Sequence, residues 1–228
     1  MIKAVIFDLD NTLVDFMRMK EMAIDAACDA MIDAGLKMEK KVLKEKIYKI
    51  YEEKGIEFQE VFNLLLEREL GEIDYKILGS GIVGYRRARE FTLVPYPHTE
   101  FTLLELLKRG LKLAVISDAP KIQVWLRLCY LGFQNYFTVV VGFDDTGKRK
   151  PDPEPFIFLL NKLNLKPNET LMVGDWEERD IVGAKLLGMK TAFARYGDAF
   201  GTKETGADYE LKDILELLKI IDELNSPP

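Results

Sequence analysis

Short apolar runs recur along the chain, and each gives way abruptly to polar or acidic residues. Ile2–Phe7 breaks at Asp8-Leu9-Asp10-Asn11-Thr12, Leu111–Ile116 at Ser117-Asp118, and Thr138–Val141 at Gly142. Thr170–Val173 breaks at Gly174-Asp175, and Thr191–Ala194 at Arg195. Continuous apolar runs of this length, rich in β-branched residues, predict strands buried on both faces. Between most of them the period becomes helical: Glu100–Lys108, Lys121–Leu131, Pro153–Leu163 and Asp180–Leu187, with Gly110, Gly132 and Gly188 as stops. Strands alternating with helices predict an α/β fold, a Rossmann-like parallel sheet flanked by helices. Ligands of such sheets bind outside the carboxyl ends of the strands. The acidic and hydroxyl residues named above all fall there.

The alternation stops between Phe16 and Phe91. Met19, Met22, Ala23, Ala26, Ala27, Ala30, Met31 and Ala34 mark one helical face that ends at Gly35. Val42–Tyr51, Phe58–Leu70 and Asp74–Glu90 read as three more helices. The expected organisation is therefore a catalytic core of residues 1–15 and 92–228, with an inserted α-helical cap domain of residues 16–91. Leu211–Leu224 reads as a last amphipathic helix and Asn225–Pro228 as a frayed tail.

Composition narrows the chemistry. The 228 residues carry a net charge of −6 without a basic tail, which argues against nucleic acid or a membrane surface as partner. No apolar run approaches spanning length, and no secretory leader is legible, so the expected location is cytoplasmic. The single histidine, His98, reads as a loop or helix-start residue beside Pro97. The two cysteines are far apart, and Cys28 lies on an apolar helical stripe, which predicts a buried thiol. Gly79-Ser80-Gly81-Ile82-Val83-Gly84 matches G-x-G-x-x-G, but no convincing buried strand precedes it, so a loop or close helix packing is expected there rather than a dinucleotide.

What remains are carboxylates, a hydroxyl and a lysine at the strand ends. Asp8 and Asp10 form a pair in which one carboxylate can attack while the other moves protons, and both can bind a hard cation. Ser117 follows the second run at a height from which a hydroxyl reaches a phosphate oxygen. Lys150-Pro151-Asp152-Pro153 opens a helix, and the prolines can hold Lys150 rigidly at the sheet edge, where an ammonium can neutralise a transferring phosphoryl group. Asp175 ends the fourth run, and Asp180 begins the next helix. Each feature alone is also ordinary turn or cap chemistry; their order along successive strands is the specific signal.

This ordered set, over essentially the whole chain, resembles the haloacid dehalogenase-like hydrolase superfamily, in its small-molecule phosphatase branch. The resemblance implies a magnesium-dependent phosphatase with Asp8 as nucleophile, an aspartyl-phosphate intermediate and Asp10 as general acid and base. It implies phosphate binding by Ser117 and Lys150, with Asn11, Thr12 and Asp118 completing the substrate side. It implies Mg2+ held by Asp8, Asp10, Asp175 and Asp180, the last either orienting the lysine or acting through water. The partner it implies is a small phosphorylated metabolite, such as a triose phosphate or phosphoglycolate. Asn11, Trp176 and Arg179 depart from the usual pattern, at the pocket's edge. Within the superfamily a sugar phosphomutase is the rival reading. A 2-haloacid dehalogenase is disfavoured by Asp10, since halide leaves without a proton. A noncatalytic binding protein would have no use for the full set. Arg18, Lys20, Tyr85, Arg86 and Arg87 read as a solvated face, with Arg18 and Lys20 the first candidates for the inner side of the cap.

Overall fold

The computed structural model describes residues 1–226, and the chain divides into two compact units. One is Phe16–Leu93. The other joins Met1–Asp15 to the chain from Val94 onward.

The first unit is helical throughout: α1 (Phe16–Asp33), α2 (Lys40–Lys54), α3 (Val61–Leu70) and α4 (Tyr75–Thr92). Its core joins Ile24, Ala27, Cys28 and Met31 of α1 to Leu43 and Ile47 of α2 and to Leu65 and Leu66 of α3. The glycines of the G-x-G-x-x-G match lie inside α4; Gly81 and Gly84 serve a close helix contact, whereas Gly79 faces open space. A Cβ on Gly84 would stand 2.7 Å from the Ala26 carbonyl oxygen, and one on Gly81 would stand 2.6 Å from Met31 Cγ. The small side chains of α1 and α4 thus let the two backbones approach. The buried stripe of α1 runs through Phe16, Met19, Lys20, Ala23, Ile24, Ala27, Cys28 and Met31. Met22, expected on it, falls beside it and is exposed. Phe58 precedes α3 instead of starting it.

Lys20 corrects the expectation of a solvated face. It is buried, donates to the Ile56 carbonyl at 2.9 Å, and holds its ammonium 4.1 Å from the centre of the Tyr51 ring. Arg18, Arg86 and Arg87 are exposed. Cys28 is a free thiol, as expected for a stripe position, and burial pushes its pKa up to about 11.

The second unit is built on six parallel strands: β1 (Ala4–Phe7), β2 (Lys112–Ile116), β3 (Val139–Val141), β4 (Thr170–Gly174), β5 (Lys190–Ala194) and β6 (Tyr209–Leu211). Their order in the sheet is β3-β2-β1-β4-β5-β6. The connecting helices are α5 (Thr99–Lys108), α6 (Lys121–Tyr130), α7 (Pro153–Leu163) and α8 (Val182–Leu186), and α9 (Glu216–Asn225) closes the fold. This is the Rossmann-like arrangement the alternation predicts. Ala4 and Ile6 of β1, with Ala114, Ile116 and Met172 of its neighbours, pack on Phe156, Leu159 and Leu163 of α7 and on Ala184 of α8. The period of two sends Val5 and Phe7 to the opposite face, where they are equally buried.

Three local expectations are corrected. Leu211 ends strand β6, and the last helix begins only at Glu216. The strand is three residues long, and its flanking polar residues match a helical period as well as an extended one. Asn225 is no frayed end: its amide accepts from the Ile2 N–H at 2.6 Å and donates to the Ile2 carbonyl at 3.0 Å. The rest of the expected tail, from 227, lies outside the described residues. Ile2 and Lys3 precede β1 instead of belonging to it. His98 stands just before α5 with φ 63° and pairs with Asp213 at 2.7 Å.

β1 sits in the middle because the chain builds outward through β2 and β3, then returns to add β4, β5 and β6 on the other side. A reversal of strand order opens a crevice at the carboxyl ends of the strands that flank it. The segments that follow β1, β2 and β4 therefore meet at one place.

Candidate active site

Asp8 follows β1, and its N–H donates to the Val173 carbonyl at 2.9 Å, which ties the loop to the neighbouring strand. The chain turns back at Asn11, whose φ of 57° is left-handed, a conformation asparagine tolerates. Two side chains and one glycine brace the turn. Thr12 Oγ1 donates to Asp175 Oδ1 at 3.0 Å. Tyr196 Oη donates to the Thr12 carbonyl at 2.8 Å. Gly197 lies against the Asn11 carbonyl so closely that a Cβ would fall 1.6 Å from its oxygen. Sequence reasoning misses both Tyr196 and Gly197, because no spacing links residues so far apart in the chain.

Lys150 is buried, and its ammonium lies between two carboxylates. It donates to Asp8 Oδ1, to Asp180 Oδ1 at 2.6 Å and to the Ile116 carbonyl at 3.2 Å. Its own N–H donates to Asp118 at 2.8 Å. Asp180 reaches this point through one wide helical turn, Glu177–Ile181, a π-type geometry that recurs at functional sites. The side chain folds back over Gly174, where a Cβ would come within 2.3 Å of the carboxyl group. Its second oxygen accepts from the Trp176 N–H at 3.1 Å.

Ligand oxygens of Asp8, Asp175 and Asp180 lie within 4.8 Å of one another, and all three residues are buried. Asp10 is not in this cluster; its Oδ2 accepts from Arg127 Nη1 at 3.0 Å. Ser117 follows β2, and its hydroxyl accepts from the Ala119 N–H at 3.2 Å. Asp118 also pairs with Arg179 at 3.1 Å. Arg179 lies 3.7 Å from the centre of the Trp176 ring, which packs on Phe200 at 4.4 Å. Trp176 and Arg179, two of the three residues that depart from the usual pattern, thus pack in one cluster with Phe200.

Three buried carboxylates against one ammonium form an electrostatically incomplete site. Burial first, then the neighbouring carboxylates Asp180, Asp175 and Asp10, hold the Asp8 pKa well above the usual range, although Lys150 opposes this. Burial and Asp180 push Asp175 up to about 8, against the hydrogen bond from Thr12. Burial alone would lower the Lys150 pKa, but Asp180, Asp8 and Asp118 outweigh it and raise the value, so the lysine stays charged. The donors are all oxygen, the choice of a hard divalent cation, and one such ion would remove the repulsion. The residues fit that group.

A stability test follows. A carboxyl whose folded-state pKa lies above its unfolded value binds its proton more tightly when folded. Its contribution is complete below the ordinary value of 3.8 and is lost as pH rises through about 8. Chelated protein should therefore melt at a lower temperature at pH 8 than at pH 5. Mg2+ at a hundredfold excess over its dissociation constant should restore about 2.7 kcal/mol at pH 8, some 5–10 °C, and less at pH 5. Equal melting temperatures at both pH values, with and without Mg2+, would contradict this electrostatic account.

The haloacid dehalogenase-like hydrolase family model matches residues 5–194. The chain belongs to this family. It is 37% identical over 225 residues to glyceraldehyde 3-phosphate phosphatase of Methanocaldococcus jannaschii, covering 98% of this chain and 99% of the other. A glyceraldehyde 3-phosphate phosphatase of Pyrococcus furiosus is 33% identical, with 98% and 95% covered. Among solved structures, a phosphatase of the family from Thermococcus onnurineus superposes with a TM-score of 0.72 at 28% identity, over 96% of this chain and 98% of that one. The family member described here is a phosphoric monoester hydrolase. Among the described residues, no helix is long and apolar enough to cross a membrane.

Proposed function

We propose that the protein hydrolyses a small phosphorylated metabolite, with glyceraldehyde 3-phosphate the first candidate, through an aspartyl phosphate on Asp8. The observation that carries this reading is the Lys150 ammonium held between Asp8 and Asp180, with Asp175 beside them. A buried carboxylate nucleophile next to a fixed cation is the arrangement that phosphoryl transfer requires. The substrate assignment is supported by the archaeal relatives, which match this chain along nearly their full length.

Asp8 attacks phosphorus; the new Asp8–phosphorus bond forms as the bond to the leaving oxygen breaks. Asp10 gives its proton to that oxygen. In the second half Asp10 takes a proton from water, whose oxygen attacks phosphorus and releases Asp8 and inorganic phosphate. Lys150 stays charged throughout and stabilises the phosphoryl oxygens, helped by the Ser117 hydroxyl. Asn11, Thr12 and Asp118 shape the phosphate side, Asn11 and Thr12 through the braced turn and Asp118 through its hold on Lys150. Mg2+, held by Asp8, Asp175 and Asp180, would supply charge neutralisation between the two anions that must meet. Asp10 acts in this scheme through its side chain as acid and base, not as a carboxylate ligand. The helical unit would act as the cap, excluding water and reading the leaving group.

Phosphate release should be measured across glyceraldehyde 3-phosphate, phosphoglycolate, hexose phosphates and nucleotides. Triose phosphate is expected to be the best substrate, with activity lost on chelation and restored by Mg2+. Full turnover in chelated enzyme, or no release from any of these esters, would defeat the proposal.

A further inference from the structure

Arg127 is a buried charged residue that the phosphatase chemistry above does not use. It lies on α6 between Val124 and Leu128, on the face that this amphipathic helix buries. Its side chain is 8% exposed, and its Nη1 donates to Asp10 Oδ2 at 3.0 Å. The two residues are 117 positions apart. A buried guanidinium must meet an anion, and this one meets the carboxylate that the proposed mechanism uses for both proton transfers.

The geometry has a consequence for the reaction. An aspartate carboxyl turns easily about its last torsion, because that rotation has broad, shallow minima. The turn that carries Asp10 lies beyond the end of β1, and an isolated bridge pairs Asp10 with Val14 within it. A hydrogen bond from a side chain fixed in a packed helix holds one carboxylate oxygen and thereby sets the direction of the other. Proton transfer to a leaving oxygen depends steeply on that direction, and an ångström of misplacement can cost about a hundredfold in rate.

We propose that Arg127 is a positioning residue for Asp10: it anchors one oxygen of the carboxylate so that the group faces the leaving oxygen first and the attacking water later. The proposal rests on Asp10 being the general acid and base. It distinguishes Arg127 from Lys150, which faces the phosphoryl group and Asp8. Arg127 acts on the proton transfers, through Asp10.

The test uses Arg127→Met and Arg127→Lys, each alone and combined with Asp10→Asn, with Mg2+ present. kcat/KM is measured with phenyl phosphate and p-nitrophenyl phosphate. This constant reports the step in which the leaving group departs, and the nitrophenolate departs with little need of a proton. Thermal melting accompanies every variant, so that loss of fold is read separately; Arg127→Lys keeps a cation in place should the methionine variant fold poorly. Arg127→Met is expected to lower kcat/KM for phenyl phosphate roughly ten- to a hundredfold, and that for the nitrophenyl ester much less. Arg127→Lys should recover part of the loss, and Arg127→Met should add nothing in the Asp10→Asn background. Equal losses on both esters, or losses that multiply with Asp10→Asn, would make Arg127 a structural residue and overturn the proposal. If Asp10→Asn itself shows no preference between the esters, the acid–base reading of Asp10 fails, and the proposal falls with it. If Asp10→Asn shows the preference and both Arg127 variants lack it, only the role of Arg127 fails.

Discussion

Asp8→Asn is expected to reduce phosphate release by at least about ten-thousand-fold with every substrate, the scale of loss when a nucleophile is removed. The asparagine amide is a poor nucleophile and carries no charge for a cation to neutralise. Its fold should be intact, since the change removes one of three buried carboxylates that repel one another. Quenched wild-type enzyme should carry phosphate on Asp8 by mass spectrometry, and the Asp8→Asn variant should carry none. Asp10→Asn should behave differently, losing about a hundred- to ten-thousandfold on esters whose leaving group needs a proton and less on activated ones. Phosphate mapped to another residue would overturn the assignment of Asp8.

Lys150→Met should be nearly as damaging, and uniformly so. The ammonium neutralises Asp8 and Asp180 in the resting site and would face the phosphoryl group that all substrates share. Loss of one such preorganised charge costs on the order of a hundred- to a thousandfold in kcat. Stability should suffer as well: removing one partner of a buried ion pair costs about 3–5 kcal/mol, and the deficit should shrink at low pH, where the carboxyls take up protons. Arg18→Ala provides the contrast. It is exposed on α1 in the proposed cap, so it should alter the ranking of substrates and leave p-nitrophenyl phosphate turnover within a few-fold. A substrate-selective loss in Lys150→Met, with uniform loss in Arg18→Ala, would place phosphate binding in the other unit.

The fold is legible where a pattern is local. The strands β1 to β5 are short runs whose every position is apolar or nearly so, and burial on both faces leaves no other reading. The helical period of residues 16–91 is equally local, as are the glycines at 110, 132 and 188, each with positive φ. The signal fails where an element is shorter than its period: β6 has three residues and merges, in the pattern, with the helix that follows. Lys20 fails for another reason. Its sequence neighbourhood is that of an exposed charge, and the Ile56 carbonyl and the Tyr51 ring, both distant in the chain, make its burial tolerable.

The candidate site divides along the same line. Residue type and order along the chain suffice to pick out Asp8, Asp10, Ser117, Lys150, Asp175 and Asp180, because each stands where a buried strand ends or the next helix begins. Which of them meet is decided by the sheet order, with β1 between β2 and β4. That order puts Asp8 and Asp175 just past the ends of adjacent strands and brings Lys150 between Asp8 and Asp180. The tertiary structure alone also turns Asp10 toward Arg127, and it sets Tyr196 and Gly197 behind the turn at Asn11 and Thr12. The physical reason is range. Burial and capping act between neighbours in the chain and leave a periodic trace, whereas one hydrogen bond between distant residues leaves none.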